Sequence, residues 1–533
     1  MTRTLDQLVF NNSFSQLPAS FYTSVIPQAL SEPHLVSFNP KVCQLLEFSH
    51  EEVTTQRFAQ IFSGNQVHPR FSPLAMKYTG HQFGQYNPDL GDGRGVLLGE
   101  VVTSTGAKWD LHLKGSGLTP YSRQGDGRAV LRSSIREYLA SAAMAGLGIA
   151  TTHALAIIGS TTPVYREQVE QGATLIRVAE SHVRFGHFEY LFYTQQHGDL
   201  KQLADYIIEH HFSDLSSHSP PYAAMYQRIV ELTATLIADW QSVGFAHGVM
   251  NTDNMSILGL TFDYGPYGFL DNYNPHYICN HSDYSGRYAF NQQPSIALWN
   301  LAALGYALSP LIESDTANAV LDTFEPLLQT VYSKKMRAKL GLITDSDQDG
   351  YLFKNLFNCL TALQLDYTLF FRTLSSIPAT DIASSADRLF AVASGNTSLK
   401  TEDTSTESVR NQNQKQNPKE NENQNNEHRA QLATWLNEYQ QRVSFELIDS
   451  ETKGDNKHND QARQDLMLAS NPKFILRNYL AQLAIQEAEQ GDYSRIESLM
   501  EVLASPFDEH PKHQSMAKLP PEWGKTLTIS CSS

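Results

Sequence analysis

The residues of this chain with the clearest chemical potential lie in the segment from His247 to Gly265. Asp253 and Asn254 stand side by side there, and Asp263 follows between two aromatic residues. Carboxylate and amide oxygens are the ligands that Mg²⁺ or Mn²⁺ takes together with phosphate oxygens. The same residue types also build ordinary Asx turns, which is the alternative interpretation. The segment predicts a site for a divalent ion and a phosphate.

This segment resembles the catalytic loop of protein kinases, in which a His-Arg-Asp triplet is followed after four residues by Asn. The position of the kinase aspartate is Val249 here, whereas the oxygen ligands Asn254 and Asp263 remain. Asp253 is the simplest candidate for the missing general base. Asp271 is an alternative to Asp263 as the second metal ligand. Metal ligands without the usual base indicate nucleotide chemistry other than ordinary phosphorylation.

A glycine-rich turn between two predicted strands is a second candidate. Gly91, Gly93 and Arg94 lie in it, and the missing side chains would let backbone N–H groups approach phosphate oxygens. Such a turn by itself is more often an ordinary hairpin. Lys114 on a following strand and Glu137 on a following helix occur in the order of the paired lysine and glutamate of kinases. The alternatives are that Lys114 is a solvated strand residue and that Glu137 caps its own helix.

More arginines follow this turn. The stretch 115–128 adds a second glycine cluster that contains Asp126, Gly127 and two arginines, and Arg177 and Arg184 come later in the chain. Guanidinium groups hold phosphates through paired hydrogen bonds, so this concentration favours a triphosphate ligand over a mononucleotide sugar. Surface arginines are also common, and the spacing alone leaves each assignment open.

Composition limits the classes of function. The chain of 533 residues carries 40 basic and 56 acidic side chains, a formal charge of -16, which opposes broad binding to a nucleic-acid backbone. The N-terminus lacks the apolar core of a signal peptide, and the apolar stretch 139–158 is predicted to be a buried helix leading into a strand. The 4 widely spaced cysteines suit a reducing compartment. We therefore expect a cytoplasmic protein that binds neither nucleic acid nor membranes.

The elements that must position these residues change character along the chain. The segment before Lys114 alternates like a strand, which puts this lysine on a polar face, pointing away from the core. A helix is predicted over 133–146, opened by Ser134 and Glu137 in capping-box spacing. A long amphipathic helix stops at Gly244, just before the predicted metal site. This order predicts an α+β, bilobal protein-kinase-like fold with a β-rich N-lobe, a larger helical C-lobe, and extensions at both termini.

Changes in composition divide the chain into five predicted parts. They are an N-terminal extension (1–75), an N-lobe with the glycine-rich nucleotide-binding segments (76–190), a C-lobe with the catalytic and metal-binding loop (191–395), a low-complexity insertion (396–430), and a C-terminal helical region with a cysteine-containing tail (431–533). The insertion is rich in Asn and Gln and nearly free of apolar side chains. It cannot offset its ordering entropy by burial, so we expect it to be disordered.

Taken together, these segments resemble the selenoprotein O family of pseudokinase-fold protein adenylyltransferases, called the YdiU family in bacteria. The resemblance runs from about residue 11 to the C-terminus, and its most specific segments are YTGHQFG (78–84), LGDGRG (90–95), LKGSG (113–117), YSRQGDGR (121–128), HGVMNTDNM (247–255) and FDYGP (262–266). It implies that ATP binds in an orientation reversed from that in kinases. AMP would then move to a Ser, Thr or Tyr hydroxyl of a protein, with release of pyrophosphate.

The resemblance also implies roles for individual residues. The residues that would contact the nucleotide are Gly91, Gly93, Arg94, Lys114, Asp126, Gly127, Arg177, Arg184 and Asp263. Asp253 would accept the proton, Asn254 and Asp263 would hold Mg²⁺, and Glu137 would pair with Lys114. Family members are also credited with UMP transfer when Mn²⁺ is present, which the sequence neither supports nor excludes.

The tail is a separate case. Eukaryotic relatives place selenocysteine three residues from the end, where this chain has Cys531. A bond to another cysteine would be a redox switch, and Cys279 is the preferred partner. The alternative is two unrelated thiols that stay reduced.

Two other functions remain open at this point. One is a true protein kinase that uses Asp253 as a displaced base, and the other is a non-catalytic ATP-binding pseudokinase scaffold. The predicted partners are ATP and hydroxyl-bearing protein substrates, with self-modification also open. The sequence names neither the substrates nor the oligomeric state.

Overall fold

The protein is described by a computed structural model that covers residues 2–395, 418–452, 459–527 and 529, with the side chains of one long helix described over 426–448. A large antiparallel sheet comes first in the chain and many helices follow it. The predicted mixture of a β-rich part and a helical part is therefore confirmed. No helix in the described residues is long and apolar enough to span a membrane.

The strands form one main sheet and two small hairpin-like pairs. In the described residues they are β1 (Val9–Phe10), β2 (Tyr22–Ser24), β3 (His34–Phe38), β4 (Leu74–Met76), β5 (Gly80–Gln82), β6 (Gln85–Asn87), β7 (Gly95–Val102), β8 (Lys108–Lys114), β9 (Ala129–Val130), β10 (His153–Tyr165), β11 (Val169–Ala179), β12 (Phe245–His247) and β13 (Tyr267–Phe269). The main sheet has the order β2-β4-β7-β8-β11-β10-β3, with β1 paired to β7 and β9 to β11. β5 pairs with β6, and β12 pairs with β13.

The helices surround the sheet and fill the second half of the chain. In the described residues they are α1 (Pro40–Leu45), α2 (His50–Val53), α3 (Gln56–Phe62), α4 (Leu131–Gly146), α5 (Phe185–Tyr193), α6 (His197–His211), α7 (Tyr222–Val243), α8 (Gln293–Ala307), α9 (Ser314–Leu321), α10 (Phe324–Lys339), α11 (Asp349–Leu363), α12 (Tyr367–Leu374), α13 (Ala386–Ser394), α14 (Pro418–Thr452), α15 (Asp460–Ser470), α16 (Asn478–Ala488) and α17 (Ser494–Ala504). α14 begins at Pro418, so it includes residues 418–430 of the predicted insertion, whose other residues, 396–417, lie outside the described ones.

Both faces of β8 are covered, which changes the interpretation of its alternating pattern. Leu111 and Leu113 pack into a core with α1, α2 and α3. The opposite face carries Lys114, which lies between Gly95 and Leu175 on the neighbouring strands. Only 4% of Lys114 is exposed because α4 covers this face. The expectation that its ammonium points away from the core is therefore wrong.

The start of α4 also differs from the prediction. The helix begins at Leu131, so Ser134 lies inside it and is buried. Glu137 is buried in an ion pair instead of capping the helix. The capping-box prediction is wrong because two residues in the right spacing are also compatible with the interior of a helix.

The C-terminal helices stabilise the sheet-containing part of the chain. The largest hydrophobic core joins Tyr138 of α4 and Trp240 of α7 to Leu480 of α16 and Leu499 of α17. Burial of several large apolar side chains in one cluster is the main stabilising contribution that such helices make. The region after α14 is therefore part of the same folded unit as the sheet.

Gly146 is expected to tolerate no side chain. A Cβ added there would lie 1.9 Å from the carbonyl oxygen of Leu503 in α17. Gly146→Ala should push α17 away from α4 and lower the free energy of unfolding by about 1–3 kcal/mol. Calorimetric melting would measure this, with Gly198→Ala as the control because a Cβ there meets nothing within 4 Å. Equal melting temperatures for Gly146→Ala and the parent chain would contradict this packing.

Candidate active site

A cavity of about 400 Å³ lies between the glycine turns of the sheet region and the loop that follows α7. It brings together residues that are far apart in sequence. Every residue predicted to contact the nucleotide, accept the proton or hold the metal lines it: Gly91, Gly93, Arg94, Lys114, Asp126, Gly127, Arg177, Arg184, Asp253, Asn254 and Asp263. Val249, at the position of the kinase aspartate, also lines the cavity.

The cavity has an excess of positive charge. Its lining contains seven cationic side chains, Arg94, Lys114, Arg123, Arg128, Arg166, Arg177 and Arg184, against four carboxylates, Asp92, Asp126, Asp253 and Asp263. The chain as a whole carries a formal charge of -16. A local cationic cluster in an acidic protein attracts a compact polyanion.

Four ion pairs join five side chains at the inner end of the cavity. Glu137 accepts hydrogen bonds from Lys114 through Oε2 and from Arg177 through Oε1. Arg177 also donates to Asp263 Oδ1, and Arg184 donates to Asp263 Oδ2. Each buried charge is compensated by at least one partner, which buried ions require.

The electrostatics of this chain of ion pairs favour the charged forms of its two carboxylates. Burial would raise the pKa of Glu137, but Arg177 and Lys114 hold it below its ordinary value. Burial would also raise the pKa of Asp263, but Arg177 and Arg184 hold it well below its ordinary value. Burial lowers the pKa of Lys114 to about 8, against the opposing effect of Glu137. Asp263 is therefore ionised near neutral pH.

Asp263 also has an unusual backbone. Its φ is +54°, in the left-handed region that few residues other than glycine adopt. The two guanidinium groups of Arg177 and Arg184 fix its carboxylate on this turn. Strained conformations held by their surroundings are concentrated at functional sites.

Asp253 and Asn254 lie on a single 3₁₀ turn, Thr252–Asn254. Asp253 Oδ2 accepts a hydrogen bond from Gln82 Nε2 at 3.2 Å, whereas its Oδ1 is buried with no hydrogen-bond partner. Burial raises the pKa of the Asp253 carboxyl to about 7, against the opposing effect of Arg184. The Nδ2 of Asn254 donates to the carbonyl of Val249 at 3.0 Å, which leaves the side-chain oxygen of Asn254 for a ligand.

The hairpin β5–β6 holds this turn in place, a role that the sequence did not predict. Glu189, on α5, accepts hydrogen bonds from Thr252 Oγ1 at 2.5 Å and from His81 Nδ1 at 2.7 Å. The backbone N–H of His81 donates to Thr252 Oγ1 at 2.7 Å. The hairpin lies in the segment 78–84, which carried the family resemblance but no assigned role. Buried hydrogen bonds of this kind fix a catalytic group within a narrow range of positions.

Asp92 is a second residue that the sequence analysis missed. It is fully enclosed and accepts hydrogen bonds from the backbone N–H of Met76 at 3.1 Å and from the Tyr78 hydroxyl at 3.3 Å. His112 Nε2 lies 3.1 Å from Asp92 Oδ2, the oxygen that also accepts from Met76. Asp92 thus anchors the first glycine turn to β4 and β8. Its position between Gly91 and Gly93 was the available signal.

The second glycine cluster is fixed by Arg166, which also lacked an assigned role. Arg166 pairs with both carboxylate oxygens of Asp126, at 2.8 and 3.0 Å. Gly127 has φ +67°, and a Cβ there would lie 2.0 Å from the carbonyl oxygen of Gly117. A side chain at Gly127 would therefore displace the loop that bears Asp126.

Two sequence alternatives have different outcomes. Asp271 does not line the cavity, because its carboxylate pairs with Arg477, which also binds Asp366 at 2.8 Å. It is therefore wrong as the rival metal ligand.

Cys279 is buried, and its thiol donates to the carbonyl of Ala246 at 3.4 Å. Cys531 lies outside the described residues, so the redox pair remains a prediction.

Comparison with known proteins identifies close relatives over the whole chain. A family model described as "Protein adenylyltransferase SelO" matches residues 4–504. A "Protein nucleotidyltransferase YdiU" of Photobacterium profundum is 59% identical over 100% of both chains. Proteins of the same description are 52% identical in Vibrio parahaemolyticus, over 98% of both chains, and 48% identical in Pseudomonas aeruginosa, over 100% of both chains.

Proposed function

Because the chain belongs to the SelO family of protein adenylyltransferases and is a nucleotidyltransferase, we propose that it transfers AMP from ATP to Ser, Thr or Tyr hydroxyls of proteins and releases pyrophosphate. The observation that carries the proposal is one net-cationic cavity lined by Asp253, whose carboxylate has one oxygen without a hydrogen-bond partner. The cations suit a triphosphate, and the carboxylate suits a hydroxyl proton.

The proposed fold is a bilobal, kinase-like one with the predicted domain boundaries up to residue 395. The order of a sheet followed by helices, with the cavity between the glycine turns and the loop after α7, supports it. The segment around Val249 also follows the kinase pattern, apart from the aspartate.

ATP is proposed to bind with its terminal phosphates at the inner end of the cavity. A buried adenine ring needs an apolar slot, whereas the inner end carries the charged groups of Lys114, Arg177 and Arg184. The guanidinium of Arg184 lies 4.6 Å from the Tyr78 ring and 4.3 Å from the Phe262 ring, so a cation already covers the aromatic rings on which a base could stack. The β- and γ-phosphates can instead take hydrogen bonds from these cations, and the α-phosphate is then nearer the entrance.

The two glycine turns are proposed to contact the phosphates through backbone N–H groups. Gly91 and Gly93 supply one turn, with Arg94 beside them, and Gly127 with Asp126 supplies the other. Close backbone approach is what the missing side chains allow. Arg177 and Arg184 would turn from Asp263 towards the phosphates, and Asp263 would be released to bind the metal ion.

Asp253 is proposed as the general base. The acceptor oxygen forms a bond to the α-phosphorus, and the bond from that phosphorus to the oxygen bridging to the β-phosphate breaks. Pyrophosphate leaves with the bonding electrons, and the hydroxyl proton passes to Asp253 Oδ1. The buried position of Oδ1 without a partner supports this role, since a base must have a free lone pair towards the incoming hydroxyl.

Asn254 and Asp263 are proposed to hold Mg²⁺ or Mn²⁺, because amide and carboxylate oxygens suit a hard cation. In the described residues no group of three or more His, Cys, Asp or Glu side chains could hold a metal. Phosphate oxygens and water would complete the coordination shell, as at Mg²⁺ sites that use one or two protein ligands. The bound ion would neutralise charge on the pyrophosphate leaving group. UMP transfer with Mn²⁺ is a further proposal, which rests on the family alone.

Incubation with α-labelled and γ-labelled ATP tests the reaction class. Only the α label should enter protein, because AMP keeps the α-phosphate. Entry of the γ label would identify a protein kinase that uses Asp253. Tight binding of ATP without entry of either label would identify a non-catalytic scaffold. Added acceptor proteins and the enzyme itself should be resolved on the same gel, so that self-modification is scored separately.

Binding of ATP is expected to weaken as pH rises above about 8, the value to which burial lowers the pKa of Lys114. Below this pH the ammonium is charged and attracts phosphate, and above it the neutral amine does not. Affinity should fall by up to about tenfold per pH unit, because one proton is linked to binding. Titration calorimetry on either side of pH 8 would measure this. Lys114→Arg is the control, since a guanidinium stays charged, and an equal pH dependence in this variant would rule out Lys114 as the cause.

A further inference from the structure

Exposed aromatic side chains lie beside the hairpin β5–β6. Phe83, Tyr193 and Tyr306 are 41, 40 and 61% exposed. The ring centroids of Tyr86 and Tyr193 are 4.1 Å apart, and Phe192 lies 5.2 Å from Tyr193 and 5.0 Å from Tyr306. Exposed aromatic side chains near one another are typical of protein-interaction sites. We call Phe83, Tyr193 and Tyr306 the aromatic face.

The hairpin that bears Phe83 also contacts the candidate general base. Gln82 donates to Asp253 Oδ2 at 3.2 Å, and the next residue, Phe83, donates its backbone N–H to Asn251 Oδ1 at 3.3 Å. The tip of the hairpin therefore lies beside the loop that bears Asp253, and the Phe83 ring packs 5.1 Å from the Tyr288 ring. A polypeptide lying on the aromatic face would pass close to the unpartnered oxygen of Asp253.

Arg287 adds a cation to this edge. A Cβ added at Gly84 would lie 3.2 Å from Arg287 Cζ, so the guanidinium rests against the hairpin. It also lies 5.0 Å from the Trp299 ring. No carboxylate in the described ranges forms an ion pair with Arg287, because the nearby Asp283 accepts the backbone N–H groups of Arg287 and Tyr288 instead. The Nε of Arg287 is buried without a hydrogen-bond partner.

A guanidinium held against rings and lacking a carboxylate is suited to an acidic group supplied by another molecule. Gln82 reaches Asp253 and Gly84 contacts Arg287, so two points on one short hairpin tip mark the two subsites. An extended chain advances about 3.3 Å per residue. The spacing between a hydroxyl at Asp253 and an acidic group at Arg287 therefore corresponds to a few residues of a bound peptide. The overall charge of -16 disfavours acidic partners in general, so a preference for acid must come from a local cation.

We propose that the aromatic face and Arg287 bind an extended segment of the acceptor protein that carries an acidic residue within about three positions of the modified hydroxyl. The proposal rests on the proposed adenylyl transfer and names the substrate class of the same site. Arg287 pairs with the acidic residue, and the aromatic face packs against apolar residues on the other side of the hydroxyl. Arg287 is thus a specificity-determining residue.

Peptide pools provide the test. Each pool contains one Ser, Thr or Tyr and differs only in having Glu, Gln or Lys at one neighbouring position, and the full chain labels them with α-labelled ATP. Glu pools within three positions should be labelled about tenfold faster than Gln pools, as expected for one charge-assisted hydrogen bond. Arg287→Glu should reverse the preference towards Lys. Arg287→Gln should remove the preference, and Arg287→Lys should keep its sign.

The aromatic face gives an independent readout. Phe83→Ser and Tyr193→Ser should raise KM for the preferred peptides about tenfold, with little change in kcat or in ATP affinity, because neither side chain lines the cavity. Tyr351→Ser is the matched control, since Tyr351 is also exposed but lies on α11, outside the cavity lining. Thermal melting of each variant establishes that it is folded.

The outcomes separate this inference from the proposed function. Equal labelling of Glu, Gln and Lys pools, or an acid preference that persists in Arg287→Glu, would overturn the inference. Labelling of proteins in a cell lysate without labelling of any peptide pool would also overturn it and leave adenylyl transfer standing. Absence of the α label from proteins and peptides alike would overturn both.

Discussion

Asp253→Asn is expected to lower kcat for adenylyl transfer by about 10²–10⁴-fold, the usual contribution of a positioned general base. Asparagine has nearly the same shape and cannot accept the hydroxyl proton. Lys114, Arg177 and Arg184 remain in place, so ATP should bind with nearly unchanged affinity. Transfer of α label to protein and calorimetric titration with ATP would measure the two effects separately.

The same substitution should not destabilise the fold. Asp253 Oδ1 is buried without a hydrogen-bond partner, and an ionised carboxylate in that position is poorly solvated. A neutral amide removes this cost, so the melting temperature should stay the same or rise. Asp322→Asn is the control for the change in charge, because Asp322 is exposed at the end of α9 and does not line the cavity. Transfer within a few fold of the parent chain in Asp253→Asn would show that another group takes the proton.

Asp263→Asn should strongly reduce the metal-dependent transfer and should also lower the free energy of unfolding. Asp263 carries the only carboxylate in the proposed metal site, and its two oxygens bind Arg177 and Arg184. Loss of this group should reduce transfer by about 10²–10³-fold or more, as for removal of one strong electrostatic contact to the transition state. Breaking a buried ion pair from one side costs about 3–5 kcal/mol of unfolding free energy.

Asp271→Asn separates the two effects of Asp263→Asn. Asp271 also pairs with a buried arginine, Arg477, but it lies outside the cavity. The Asp271→Asn variant should therefore have a lower free energy of unfolding than the parent chain. Its rate of transfer should equal that of the parent chain when both rates are measured well below the melting temperature. Equal loss of transfer in the two variants would mean that instability, and not the site, explains the result for Asp263.

Local patterns in the sequence were enough to select many of the residues that line the cavity, although not Asp92 or Arg166. Asp253, Asn254 and Asp263 belong to one loop, and the two glycine turns each lie within a few residues. Short-range spacing fixes the chemical groups that such a loop can present, whatever the rest of the chain does. The roles of these residues in catalysis remain predictions until the variants are measured.

The sequence by itself determined which oxygen ligands, cations and glycine turns are available, because these depend on residue type and short spacing. Tertiary structure alone decided how they are surrounded. Periodicity places Lys114 on a polar face of β8, but only the packing of α4 buries that face and pairs the lysine with Glu137. Likewise, Gln82 meets Asp253 and Arg287 meets Gly84 because separate segments pack together. A sequence pattern states which side of an element a residue occupies, and the free energy of packing determines what covers that side.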